Sequence, residues 1–231
     1  MKIGGFQKLT LLDYPGQVAC ILFTAGCNFR CPFCHNAGLV TADRGPEASE
    51  TEILAYLKKR QGILDGVVVS GGEPLLQFGL RPFLTAVKRL GYLVKLDTNG
   101  SFPDRLERLM REGLVDYVAM DLKHIPERYS QAAGIDDPGL LPRIERGIAL
   151  LKTGTVPFEF RTTLVKGIHR PEDAGAIAAW VAGSQPYYLQ SYLDSGAVLC
   201  PDHLEAFSEP ELRRMLCAVK RHCPNAALRG V

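Results

Sequence analysis

Cys27, Cys31 and Cys34 stand in the pattern C-x3-C-x2-C within eight residues, directly after an apolar run at residues 18–23. Thiolates this close in sequence can converge on one metal centre without help from distant chain. A closed structural zinc site takes four protein ligands, and an ordinary [4Fe–4S] cluster takes four thiolates, one per iron. Three thiolates leave one iron of a cubane with an open coordination position, where a redox centre can hold a substrate directly. The spacing alone also admits zinc, with His35 as a fourth ligand.

Four further polar clusters accompany this loop. Gly71-Gly72-Glu73-Pro74 offers exposed backbone groups that a Cβ would block, although a plain strand-to-helix turn uses the same residues. Asp97-Thr98-Asn99-Gly100 and Asp121-Leu122-Lys123-His124 each begin with a carboxylate. Two such carboxylates, with Thr98 and a backbone carbonyl, would suit a hard cation with oxygen ligands. Their bland reading is capping or a solvated loop end. Lys123 lies two residues beyond Asp121, on the same side of an extended chain, and as a point charge it can hold a carboxylate. The last cluster runs from Arg161 to Gly167.

The elements that must position these residues follow one rhythm. Apolar or β-branched strands are expected at 18–23, 66–70, 92–96, 116–120, 157–164 and 186–192. Amphipathic helices are expected at 47–60, 80–90, 103–112, 140–152, 171–182 and 209–222. Ser49 with Glu52 reads as a capping box, Ser208 as a cap, and Pro82, Pro171 and Pro210 sit in first turns. The residues after the last helix are too few to classify. The longest irregular stretches are 36–46 and 195–207. Each polar cluster falls just past the C-terminal end of a strand, and in parallel α/β folds those ends share one mouth where ligands bind. Six strand–helix units are too few for a closed eight-stranded barrel. The expectation is an α/β fold, an open partial (β/α)6 barrel of parallel strands, forming one domain over residues 1–231.

Composition narrows the class. The 231 residues are 46% hydrophobic and 23% charged, with a formal charge of +2, so no basic surface suggests nucleic acid. No apolar stretch approaches the ~20 residues that span a bilayer, and the N-terminus lacks a signal-type apolar region. A cytoplasmic protein is expected. Seven cysteines argue against a disulfide framework. Cys20 reads as a core residue, while Cys200, Cys217 and Cys223 match no compact ligand loop.

Taken together, the cysteine loop and Gly71-Gly72-Glu73-Pro74 resemble the radical S-adenosylmethionine (radical SAM) superfamily. The FTAGCNFRCPFCHN run, the LLDYPG opening, Asp97-Thr98-Asn99-Gly100 and the VDYVAMDLK strand resemble glycyl-radical-enzyme activating proteins. Among these they look most like activators of anaerobic ribonucleoside-triphosphate reductase, over residues 4–192. The resemblance implies that Cys27, Cys31 and Cys34 ligate a [4Fe–4S] cluster. It also implies that Asn36 and Lys123 contact SAM, with Lys123 near the carboxylate, and that Gly71, Gly72 and Glu73 line its amino group. Asn99, Arg161 and Gln190 are further candidates for SAM or substrate contacts. Asp97, Thr98 and Asp121, with the Ala119 backbone, match positions that hold a monovalent cation in pyruvate formate-lyase activating enzyme.

That enzyme's SAM-contacting histidine after the sixth strand has no counterpart here, where Tyr192 stands. The implied chemistry is one-electron reduction from a flavodoxin- or ferredoxin-type donor and cleavage of SAM to methionine and a 5′-deoxyadenosyl radical. Hydrogen abstraction from a glycine of a partner enzyme would follow. The open side of a partial barrel would admit the partner's loop. The alternatives are a small-molecule radical SAM enzyme resembling 7-carboxy-7-deazaguanine synthase, and a non-catalytic zinc or cluster-binding module.

Overall fold

A computed structural model describes residues 1–41, 47–194 and 196–230. The expected strands are present with small shifts: β2 (Ala19–Thr24), β3 (Gly66–Gly71), β4 (Leu93–Thr98), β5 (Tyr117–Asp121), β6 (Phe158–Leu164) and β7 (Tyr187–Ser191). The helices between and after them are α2 (Glu50–Lys59), α3 (Leu80–Arg89), α4 (Pro103–Arg111), α6 (Leu140–Thr153), α7 (Pro171–Trp180) and α8 (Glu209–Val219). Short helices α1 (Ala37–Val40) and α5 (Tyr129–Ala133) fill two loops. Reciprocal capping boxes start α2 at Ser49–Glu52 and α8 at Ser208–Glu211, so both caps form as their spacing implies.

Two strands go beyond the sequence expectation. β1 (Ile3–Thr10) pairs antiparallel with β2, and β8 (Ala226–Arg229) adds to β7 in parallel. The parallel set is therefore seven strands, β2 to β8, within one sheet whose spatial order follows the sequence. No ladder joins β1 to β8 among the described residues, so the barrel is open on that side. Parts of the two long irregular stretches, residues 42–46 and Ser195, lie outside the described residues.

The sheet is buried on both faces, as its continuous apolar strands require. Outward-facing Leu22, Val67, Val69, Val94, Leu96, Met120 and Leu189 join the helices in the main core. Inward-facing Ala19, Ile21 and Val68 pack on Tyr14, with Leu93 and Tyr117 beside them, near the N-terminal ends of the strands. Above this apolar floor the inward positions turn polar. Glu159 of β6 is fully buried and accepts from Arg229 Nη1 at 3.0 Å and Tyr117 Oη at 3.1 Å. Strand β8 thus supplies the cation that makes a buried Glu159 tolerable. No helix among the described residues is long and apolar enough to cross a membrane.

Candidate active site

The C-terminal ends of the strands surround a cavity of about 400 Å³. Its wall contains Cys27, Cys31 and Cys34 together with His35, Asn36, Gly71, Gly72, Asp97, Thr98, Asn99, Asp121, Lys123, Arg161 and Gln190. Of the sequence-derived site residues, Glu73 and Ala119 are outside this wall. Register explains the convergence. Asp121 pairs with Arg161 across β5–β6, and Thr163 with Gln190 across β6–β7, so alternate residues reach the same interior.

The cysteine loop is fixed by its own backbone. Cys34 N–H donates to Cys31 O at 3.0 Å, and Phe29 N–H donates to Cys27 Sγ at 3.3 Å. Arg30 Nη1 donates to the carbonyls of Cys27 and Phe29 at 2.6 and 2.8 Å. From the far end of the chain, Leu199 and Cys200 N–H groups donate to the carbonyls of Cys34 and Pro32 at 3.0 and 2.9 Å. Burial pushes the Cys27 thiol up to about 11 and the Cys31 thiol up to about 12. Metal binding must therefore displace those protons, which couples cluster assembly to proton release.

No three His, Cys, Asp or Glu side chains among the described residues stand close enough to hold one metal ion. A mononuclear zinc site would draw its ligands to ~2.3 Å of a single centre. Three thiols on a common wall instead suit a cubane, where each takes its own iron. Cys223 is buried in the core, while Cys200 and Cys217 are exposed.

Gly71 and Gly72 have a sharper requirement than ligand access. Gly71 has φ +119°, and a Cβ there would lie 2.2 Å from Thr24 N; one on Gly72 would lie 2.1 Å from Gly26 O. The end of β3 thus rests directly on the chain entering the cysteine loop. Gly72 N–H donates to Thr24 O and Glu73 N–H to Gly26 O, both at 2.9 Å. The Glu73 side chain is fully buried and accepts from Leu75 N–H, Thr98 Oγ1 and Asn99 N–H at 3.0, 2.9 and 2.8 Å. Its carboxyl, pushed up to about 7 by burial, therefore clamps the β3 and β4 loops together. The Glu73 side chain is thus engaged within the protein, which leaves the backbone of the segment, at Gly71 and Gly72, as the part that faces the site.

Asn99 ties the β4 turn to the cysteine loop, donating from Nδ2 to Asn28 Oδ1 at 3.0 Å and lying 3.9 Å from Cys27 Sγ. Asp97 Oδ1 accepts from Lys95 Nζ at 2.5 Å, and its Oδ2 from Arg161 Nη1 and Ser70 Oγ, both at 3.1 Å. Asp121 accepts from Arg161 Nε at 2.8 Å and Lys123 Nζ at 3.2 Å. Burial alone would raise both acids. The Arg161 guanidinium, helped by Lys95 at Asp97 and Lys123 at Asp121, outweighs it and holds both below the usual carboxylate range.

Lys95 was not anticipated, although a lysine two residues before Asp97 in a buried strand must share its face. Tyr192, expected only as a missing histidine, lies in the cavity wall at 5% exposure. Its hydroxyl is the one buried side-chain polar atom among the described residues without a partner. An orphaned hydroxyl beside three thiols, an ammonium and exposed strand-end backbone fits a polar ligand of the SAM type.

The radical SAM superfamily signature matches residues 21–176. A protein of Methanocaldococcus jannaschii, provisionally named a glycyl-radical enzyme activating enzyme, is 31% identical over 99% of this chain and 96% of its own. The Escherichia coli (strain K12) pyruvate formate-lyase 1-activating enzyme is 33% identical, but the match spans only 56% of this chain and 55% of that one. In fold, the chain is similar to Streptococcus suis SuiB bound to S-adenosylmethionine, with TM-score 0.65 and 17% identity. That likeness covers 91% of this chain and 52% of SuiB. The chain belongs to the radical SAM superfamily, whose cofactors are a [4Fe–4S] cluster and SAM, and within it to the glycyl-radical-enzyme activating family.

Proposed function

We propose that this enzyme installs a glycyl radical on a partner protein, such as an anaerobic ribonucleoside-triphosphate reductase. The observation that carries the reading is a thiol-lined cavity at the mouth of a barrel open between β1 and β8. A partner's extended loop can enter such a lateral gap, whereas a closed and filled barrel would exclude it. Near-full-length similarity to a relative named as an activating enzyme supports the same reading.

In this reading Cys27, Cys31 and Cys34 hold the cluster. Lys123 receives the SAM carboxylate, and the backbone at Gly71 and Gly72 receives the amino group. Asn36, Asn99, Arg161 and Gln190 complete the polar contacts. The cluster and SAM, when bound, would supply reductive one-electron cleavage of the sulfonium and the hydrogen abstraction that follows it. The chain's own residues orient and shield that event. Phe23, Phe29, Phe33 and Leu193 line the cavity with apolar surface, excluding water that would otherwise compete. The electron comes from a flavodoxin- or ferredoxin-type donor in the cytoplasm.

The test mixes reconstituted, reduced enzyme and SAM with a purified anaerobic reductase, and follows electron paramagnetic resonance. A glycyl-radical doublet that appears on the reductase only with SAM supports the reading. Cleavage of SAM with turnover of a small pterin or purine precursor, and no radical on any partner, would refute it.

A further inference from the structure

We propose that Lys95 takes the place of a metal cation beside SAM, so that this enzyme binds SAM without a monovalent ion. The inference concerns the same SAM cavity and rests on the reading of that site. Asp97, Thr98 and Asp121 would be the oxygen ligands of such an ion, yet protein donors already engage them. Asp97 holds Lys95, Arg161 and Ser70, while Asp121 holds Arg161 and Lys123. The Thr98 hydroxyl donates to Glu73 and accepts from Gly100 N–H at 3.1 Å.

The charge balance points the same way. Three cationic side chains (Lys95, Arg161, Lys123) face two carboxylates (Asp97, Asp121), leaving this ladder one positive charge. An incoming SAM carboxylate neutralises that excess. A metal ion would add a second like charge inside a poorly solvated interior, where repulsion is strong. Lys95 is 1% exposed and does not line the cavity, so its ammonium lies one inward layer below Asp97. It is a positioning residue: it holds Asp97 ionised and oriented, and through Asp97 it holds the guanidinium of Arg161.

The experiment measures SAM affinity of the reconstituted holoenzyme by equilibrium dialysis. Choline is the only monovalent cation at first, and potassium or sodium is then added. Wild-type affinity should change by less than about threefold, a difference smaller than one charge-assisted hydrogen bond produces. Lys95→Ala should weaken SAM binding by roughly tenfold or more in choline and regain it in potassium, because the vacated space leaves the Asp97 carboxylate open to a small cation. Lys95→Met, which fills that space without charge, should lose affinity and show no rescue. Cluster content and circular dichroism establish that each variant is folded.

A wild-type enzyme that needs potassium or sodium to bind SAM overturns the proposal. So does a folded Lys95→Ala protein whose binding is unchanged in choline, or lost and not restored by any cation. A wild type that binds no SAM in any salt removes the site reading itself, and this inference with it.

Discussion

The orphaned hydroxyl of Tyr192 makes two measurements move in opposite directions. The group is buried in the cavity wall and satisfied by no described residue. A buried hydroxyl without a partner costs about 1–3 kcal/mol relative to water. Tyr192→Phe deletes only that oxygen and leaves the ring packed at 5% exposure. The SAM-free protein should therefore become more stable by ~1 kcal/mol, a rise in Tm of about 2–4 °C for a chain of this size. If SAM supplies that hydroxyl with a partner, the sign should reverse. Loss of a neutral hydrogen bond of ~0.5–1.5 kcal/mol should weaken SAM binding about 2- to 10-fold. Thermal unfolding with and without SAM reads both effects on one protein. If the variant is less stable alone while binding SAM as tightly as wild type, the hydroxyl works within the protein and not toward the ligand. That result would refute the reasoning.

Other outcomes follow from the same geometry. Gly72→Ala places a Cβ against the Gly26 carbonyl at 2.1 Å, so backbone must move. Because the displaced chain carries Cys27, the variant should show both a stability loss of about 1–3 kcal/mol and reduced iron incorporation on reconstitution. His169 is 4% exposed, stacks on His124 at 4.7 Å and meets Phe33 edge-on at 6.0 Å. Burial and then neighbouring His124 lower it from 6.5 to about 4. Below the unfolded value, only the unfolded chain takes this proton. The stabilisation is therefore present above pH 6.5 and is lost as pH falls toward 4, by about 1.4 kcal/mol per unit. Denaturant unfolding should show a steeper acid slope for wild type than for His169→Phe, and equal slopes would contradict the assignment.

The expected framework survived because its signals were local. Continuous apolar strands, Ser49–Glu52 and Ser208–Glu211 capping boxes and prolines in first turns all act within a few residues, and every one lies where its spacing implies. The site clusters were legible for a related reason: parallel strands bring their C-terminal ends together whatever the intervening helices are. Strand β8 escaped because four residues after a helix carry no periodicity, and it is recruited by pairing with β7 and by Arg229 meeting Glu159. The clamping role of the Glu73 carboxyl is not legible in its motif, because two of its three partners, Thr98 and the Asn99 N–H, come from a loop distant in sequence. A lysine in a strand is ordinarily solvated; only the Asp97 carboxylate, two residues on along the same inward face, makes burial of Lys95 favourable. No local pattern records partnerships of that kind.

The most direct test of the central claim is anaerobic. The protein is reconstituted with iron and sulfide, reduced with dithionite and mixed with SAM, and the cluster's paramagnetic signal and release of 5′-deoxyadenosine are recorded together. A [4Fe–4S] signal altered by SAM, with deoxyadenosine formed and both lost in Cys31→Ala, is the predicted result. Stoichiometric zinc, no cluster signal and intact SAM would contradict it.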